Sequence, residues 1–243
     1  MYSSKLLQKL PVIAGSSAVS DGNIVLNKST DELEFSTKIK KAIQKETQTT
    51  PENWLLCQQI HGNKTIQINS PQTTKIKQKL PHCDGLLTTN PELVLIIRHA
   101  DCVPVFLYNQ KTKTIGLIHS GWKGTFESIT PKAIAQLIKN GGTTKDIYVS
   151  IGASAKSCCY GFKNDSQWEW IKELKDWENF VTINKDWISV DLAGKIQSDC
   201  LSLGIPKAQI ERSNTCTICD NSFHSYRRSK KPHNNISYIK LNN

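Results

Sequence analysis

The chain has 243 residues, 38% of them hydrophobic and 21% charged, enough to build one sizeable core, and no Pro/Gly/Ser-rich linker divides it. Its 31 Lys+Arg against 21 Asp+Glu leave a net charge of +10, which suits a nucleic acid or a phosphorylated substrate, but lysines and asparagines are scattered throughout, so a generally basic composition is the favoured cause. Beyond the N-terminal stretch, the longest purely apolar run, Leu93 to Ile97, falls far short of the about 20 residues a membrane helix needs.

At the N-terminus, Lys5 and Lys9 alternate with apolar residues, but Pro11 and early polar residues cut the stretch too short for a signal peptide. Together with eight cysteines in a chain large enough to need no staples, this predicts free thiols and a cytoplasmic location. Lys5 to Ser20 reads as a strand and turn, Asp21-Gly22 as a turn, and Ile24 to Leu26 as a strand. Ser29 to Glu46 reads as a helix, with Thr30 or Asp31 as cap and Leu33, Phe35, Ile39, Ala42 and Ile43 on one face. An apolar-rich run from Trp54 to Ile60 then ends at His61-Gly62. Lys64 to Ile68 alternates as a half-buried strand, Asn69 to Lys79 is a polar loop, and Asp84-Gly85 marks a tight turn.

Two apolar runs, Val103 to Tyr108 and Thr114 to Ile118, flank the turn Asn109 to Lys113 and predict a β-hairpin. Cys102 precedes the first strand and His119 follows the second, so antiparallel pairing brings a thiol and an imidazole to one end of a sheet. His61 also ends an apolar run, which allows two histidines and a cysteine to meet at one rim. Beyond Ser120-Gly121-Trp122-Lys123-Gly124, apolar residues recur at helical spacing; Pro131 either kinks one helix or starts a second one capped by Thr130. Backbone N–H groups of the Gly121 to Gly124 turn then lie near a helix start, an arrangement suited to an anion or simply to close packing.

Further on, Ile147 to Gly152 predicts a strand running into adjacent Cys158 and Cys159, whose default is burial. Asp165 to Leu174 and Asp191 to Leu203 read as helices, and Phe180 to Ile183, Ile210 to Arg212 and Ile236 to Leu241 as strands, so the class is mixed α/β without repeats. Cys216-x-x-Cys219 followed by His224 and His233 has the look of half a zinc finger but lacks the spacing of the second half. Arg227 and Arg228 beside Tyr226 suit phosphate or carboxylate recognition, or form a solvated basic tail.

In order, Q-Q-I-H-G, C-D-G-L-L-T, R-H-A-D-C-V-P-V, H-S-G-W-K-G, S-C-C-Y and C-T-I-C-D-x-x-F-x-S-Y-R-R, spanning Leu55 to Arg228, resemble the polyphenol oxidase/laccase-domain family, also called purine nucleoside phosphorylase-like or peptidoglycan-editing-factor proteins. The resemblance implies a single domain over residues 1–243 of layered α-β-β-α type with mixed sheets. It also implies a catalytic Zn²⁺ held by His61, Cys102 and His119, with purine nucleosides (adenosine, inosine and methylthioadenosine) and phosphate as substrates and adenosine deamination as a further activity. Three protein ligands leave a fourth tetrahedral position for water or a substrate oxygen. On this reading Cys102 and His119 belong to the catalytic group, Asp101 is a candidate proton shuttle, and Lys123, Arg227 and Arg228 are candidates for holding phosphate. The sequence departs from the family pattern near the N-terminus, where A-G-S-S-A-V-S replaces T-R-x-G-G-V-S, and before the paired cysteines, where G-A-S-A-K-S-C-C-Y-G replaces G-P-A-I-G-P-C-C-Y-E.

Other chemistries compete. A copper-dependent polyphenol oxidase needs more ligands than six histidines and a lone Met1 supply, so copper binding would be adventitious. His99-Ala100-Asp101 only loosely echoes the H-x-E of zinc deaminases. Cys102 and His119 could instead be a nucleophile and its base, making a hydrolase or amidase that edits cell-wall precursors. A nucleic-acid binder is not expected, since no recognised fold signature accompanies the charge.

Overall fold

The computed structural model describes residues 4–27, 32–69, 81–163, 166–174, 176–185 and 187–242. One sheet runs in the order β1 (Val12–Ser16), β15 (Asn235–Leu241), β7 (Val94–His99), β4 (Trp54–Leu55). A second runs β14 (Ile210–Arg212), β10 (Ile147–Ile151), β8 (Val103–Asn109), β9 (Thr114–Ser120), β6 (Gly85–Thr88), β5 (Thr65–Gln67). Both sheets are mixed: β4 is parallel to β7, β14 to β10 and β5 to β6, while the other neighbours are antiparallel. A small sheet orders β11 (Gly161–Phe162), β13 (Trp187–Val190), β12 (Val181–Asn184), and β2 (Ile24–Asn27) pairs with β3 (Glu32–Phe35).

Alternation along the strands explains the stacking. Side chains two apart share a face, and Phe106 and Tyr108 of β8 join Ile115, Leu117, Leu95, Ile97 and Ile239 between the two large sheets. Val103, Val105 and Leu107 point the other way, onto Ala133, Ile134 and Leu137 of α3 (Ile129–Lys139) and Leu192, Ala193 and Ile196 of α5 (Leu192–Ser202). Val94 and Ile96 likewise cover Ile39 and Ile43 of α1 (Thr37–Thr47). The result is the layered α-β-β-α arrangement implied by the resemblance. Because the central strands are buried on both faces, they read as unbroken apolar runs such as V-L-I-I and V-P-V-F-L-Y.

The hairpin forms as expected, with Asn109 paired to Thr114, so its loop is Gln110 to Lys113, one residue shorter than predicted. The helix predicted from Ser29 to Glu46 needs correction. Residues 29–31 lie outside the described residues, Glu32–Phe35 forms β3 against β2, and the helix starts only at Thr37. Ser36 decides the boundary: its hydroxyl accepts the Ile39 N–H and donates to the Asp21 carbonyl, capping α1 and fixing it to the β2 turn. Leu33 and Phe35, two apart, follow a strand period that was taken for part of a helical face. The tight turn expected at Asp84-Gly85 is a bend at Asp84 alone, since Gly85 opens β6 directly. Most of the predicted loop at 69–79 lies outside the described residues.

After Gly121 the chain makes two helices, α2 (Trp122–Phe126) and α3, with left-handed Ser128 between them. Pro131 sits in the first turn of α3, where no intrahelical N–H bond is lost, and Ser128 rather than Thr130 holds the cap position. Asp191 caps α5 through the Gly194 N–H, as its position predicts. All eight cysteines are free. Among the described residues, no helix is long and apolar enough to cross a membrane.

Phe106 is 2% exposed between the sheets. Phe106→Ala is expected to lower unfolding free energy by about 3–5 kcal/mol in a urea titration; a change below about 1 kcal/mol would contradict the stacked-sheet core.

Candidate metal centre

The β8/β9 register sets His119 opposite Pro104, so Cys102, two residues before Pro104, and Gly121, two after His119, leave the sheet at the same rim. The loop following β4 brings His61 to that rim. Ligand atoms of His61, Cys102 and His119 all lie within 4.8 Å of one another, and the two rings meet edge to face with centroids 4.9 Å apart. His119 is buried, Cys102 half-buried and His61 exposed, so the cluster opens to solvent on the His61 side.

Asp84 organises this convergence. Its fully buried carboxylate accepts the backbone N–H groups of Ile60, His61 and Gly62 at 3.2, 2.9 and 2.8 Å, and lies 2.9 Å from His119 Nδ1. Its backbone carbonyl also accepts the His119 N–H at 2.7 Å. Burial would raise the Asp84 carboxyl, but the bonds from His119, Gly62 and His61 hold it below the usual carboxylate range. With Nδ1–H directed at Asp84, Nε2 is the nitrogen His119 has left for a ligand. Asp84 was absent from the residues predicted for the site. The only signal was an acid between apolar neighbours in C-D-G-L-L, which reads equally well as a turn.

Two glycines allow the close approach. A Cβ on Gly121 would sit 3.3 Å from the His61 ring and 3.4 Å from Cys102 Sγ, and one on Gly124 would meet the Gly62 carbonyl oxygen at 2.4 Å. The Gly121–Gly124 turn therefore serves packing of the His61 loop against α2, which is too short to make an anion site. His61 itself takes a left-handed backbone, φ 58°, and Asp101 has φ 92°.

Burial alone would raise the Cys102 thiol, yet the charge and hydrogen bonds of His119, followed by His61, bring it down to about 6. Burial works against the His119 imidazolium, and the Cys102 charge and the Asp84 hydrogen bond overcome it, raising His119 to about 9. The protein thus brings a lowered thiol and two imidazole rings within reach of one point, a group that could hold a metal ion.

The other predicted residues divide. Asp101 is buried, and its carboxylate accepts the Thr217 hydroxyl at 2.8 Å and the Arg227 backbone N–H at 2.7 Å. Arg227 places its guanidinium 5.3 Å from the ring centroid of Tyr160, a phenol whose pKa is raised by burial and then by the nearby Cys102. Arg228 turns away and donates to the carbonyls of Thr217, Ile218, Asp220 and Phe223, so it clamps its own loop rather than an anion. Lys123 is half-exposed and 3.8 Å from Glu127. His99 is fully enclosed beside Ser237, and burial, with the His119 charge adding, pushes it down to about 3, so it is a neutral core residue that stands outside the metal-holding group.

Residues 15–242 match the family described as multi-copper polyphenol oxidoreductase laccase. The chain is 32% identical over 153 residues to a purine nucleoside phosphorylase of Borreliella burgdorferi, covering 61% of this chain and 64% of that protein, slightly under two thirds of its length. It is 29% identical over 195 residues to purine nucleoside phosphorylase Cj1217c of Campylobacter jejuni, covering 78% of each. Among solved structures, it superposes on a Bacillus licheniformis hypothetical protein, YfiH, with TM-score 0.83 and 26% identity over 97% of this chain and 94% of that one. YlmD of Geobacillus stearothermophilus gives TM-score 0.84 at 21% identity over 99% and 94%, a likeness of fold.

Asp84→Ala leaves three N–H groups and His119 without their acceptor and is expected to lower stability by about 3–5 kcal/mol in denaturant unfolding. A variant as stable as the parent would show that the carboxylate does not hold the rim together.

Proposed function

The chain belongs to the multi-copper polyphenol oxidoreductase laccase family, and from that premise we propose that it is a zinc-dependent purine nucleoside phosphorylase. It would convert adenosine, inosine or methylthioadenosine and phosphate to the free base and the corresponding pentose 1-phosphate, with adenosine deamination as a side activity. The observation that carries this reading is the convergence of His61, Cys102 and His119, joined to relatives named for that activity.

The residues fit the metal: two imidazoles and a lowered thiol supply its preferred donors, and Asp84 orients one ring directly and the other through its backbone. Zinc held by His61, Cys102 and His119 would supply Lewis-acid charge. Arg227 is the cation that receives phosphate, its guanidinium backed by the Tyr160 face and its backbone pinned by Asp101. Asp101 acts as a positioning residue for the Arg227 loop, because both carboxylate oxygens already accept hydrogen bonds. Lys123, exposed at the start of α2, adds positive charge that draws phosphate toward the rim.

The triad-like line Cys102, His119, Asp84 favours a second reading, a thiol hydrolase in which His119 is the base. That reading leaves the position of His61 unexplained, whereas metal binding requires it.

Cys102→Ala is expected to lose zinc at this centre and phosphate-dependent release of adenine from adenosine, read by elemental analysis and base chromatography. Full phosphorolysis in a chain whose centre holds no zinc would overturn the metal reading, and alkylation-sensitive hydrolysis by that same zinc-free chain with Cys102 intact would favour the hydrolase. Arg227→Gln should raise the KM for phosphate by about tenfold to a hundredfold, from the roughly 1.5–3 kcal/mol of a hydrogen bond to a charged group. Arg228→Gln should lower stability instead, and an unchanged phosphate KM in Arg227→Gln would remove Arg227 from the anion site.

A further inference from the structure

We propose a second metal site, a structural zinc bound by the four thiolates of Cys158, Cys159, Cys216 and Cys219. The four sulfurs converge from two loops far apart in sequence and lie within 4.8 Å of one another. Zinc bound tetrahedrally to sulfur at about 2.3 Å sets sulfurs about 3.8 Å apart. Cys158 Sγ and Cys219 Sγ are 3.8 Å apart, and Cys159 Sγ and Cys219 Sγ are 3.1 Å apart. Burial, the default for adjacent cysteines, does not explain the group, since Cys158 and Cys219 are exposed and Cys159 is half-buried. The half zinc finger seen in Cys216-x-x-Cys219 is completed by Cys158-Cys159. It is not completed by His224, which lies 2.9 Å from the Gly22 carbonyl and stacks edgewise with His233.

The surroundings are built for thiolate. Cys216 Sγ receives backbone N–H groups of Lys156, Ile218 and Cys219, so the C-x-x-C turn and the opposite loop both aim donors at one sulfur. Lys156, 8% exposed, has a neutral hydrogen-bond acceptor in Ser154 Oγ at 3.1 Å and lies close enough to Cys216 and Cys158 to feel their charge. Four thiolates and Zn²⁺ carry two net negative charges, one of which a buried ammonium offsets. A single disulfide would use two of the sulfurs and give no reason for the other two.

The site ties the turn after β10 to the turn before α6 (Tyr226–Ser229), where the Ser154–Cys216 bridge already joins them. Tyr160 follows Cys159 immediately, and Thr217 and Arg227, which both donate to Asp101, lie on the other loop. Zinc here holds the Tyr160–Arg227 contact in place without touching substrate.

Full-length protein carrying Cys102→Ala isolates this site from the first centre. After loading with zinc and gel filtration it is expected to retain one zinc per chain, and adding Cys216→Ser with Cys219→Ser should remove it. In the unaltered chain, iodoacetamide should leave Cys158 and Cys219 unmodified until a chelator strips the metal, an outcome read by mass spectrometry that needs no variant to fold. A zinc-free Cys102→Ala chain, alkylation of Cys158 and Cys219 at the same rate with or without zinc, or a Cys159–Cys219 disulfide in protein kept reduced would each overturn the proposal. None of these readouts depends on phosphorolysis, so failure here leaves the first centre untouched.

Discussion

A carboxylate with no access to water is tolerable only when donors surround it, and Asp84 has four: three consecutive backbone N–H groups and an imidazole. The three backbone bonds bend the chain at Ile60 to Gly62 around one point, which is why His61 takes a left-handed conformation unusual for a residue with a Cβ. The fourth bond fixes the plane and tautomer of His119. One buried charge therefore sets two rings that are distant in sequence, and the Cys102 thiol faces both.

The rest of the fold delivers these parts to Asp84. Stacked sheets buried on both faces make β8 and β9 rigid, and their register ends Cys102 and His119 at one rim. Gly121 and Gly124 remove the side chains that would hold α2 away from the His61 loop. On the other side, Asp101 reaches Thr217 and Arg227, so the residue beside the central thiol also anchors the loop that carries the cation. Left-handed backbone at Asp101, at a cost of about 1–3 kcal/mol, lets its carboxylate point into the protein while Cys102 points to the rim.

The apolar runs at Val103 to Tyr108 and Thr114 to Ile118 were legible because strands buried on both faces stay apolar without a break and a polar turn separates them, and the meeting of Cys102 with His119 follows from their pairing. Ser29 to Glu46 was misread because Phe35 and Ile39 fit a helical face while Ser36, the actual cap, is also an ordinary loop residue. Asp84 reads as a turn because three of its four donors are backbone N–H groups, which have no residue type to recognise. Arg228 resembled an anion ligand for a similar reason: its acceptors are carbonyls of its own loop. Cys158 and Cys159 read as merely buried because neighbouring cysteines do not easily ligate one metal together, and the sulfur they face, that of Cys219, lies about 60 residues away in sequence. In each case the missing information was long-range or carried by the main chain.

The most direct test is a crystal structure of zinc-loaded protein with anomalous scattering recorded at the zinc edge. A zinc peak bonded to His61, Cys102 and His119 is expected, with Asp84 behind His119 and the remaining position facing solvent. A rim with no metal, or a metal whose fourth position is filled by another side chain of this chain, would contradict it.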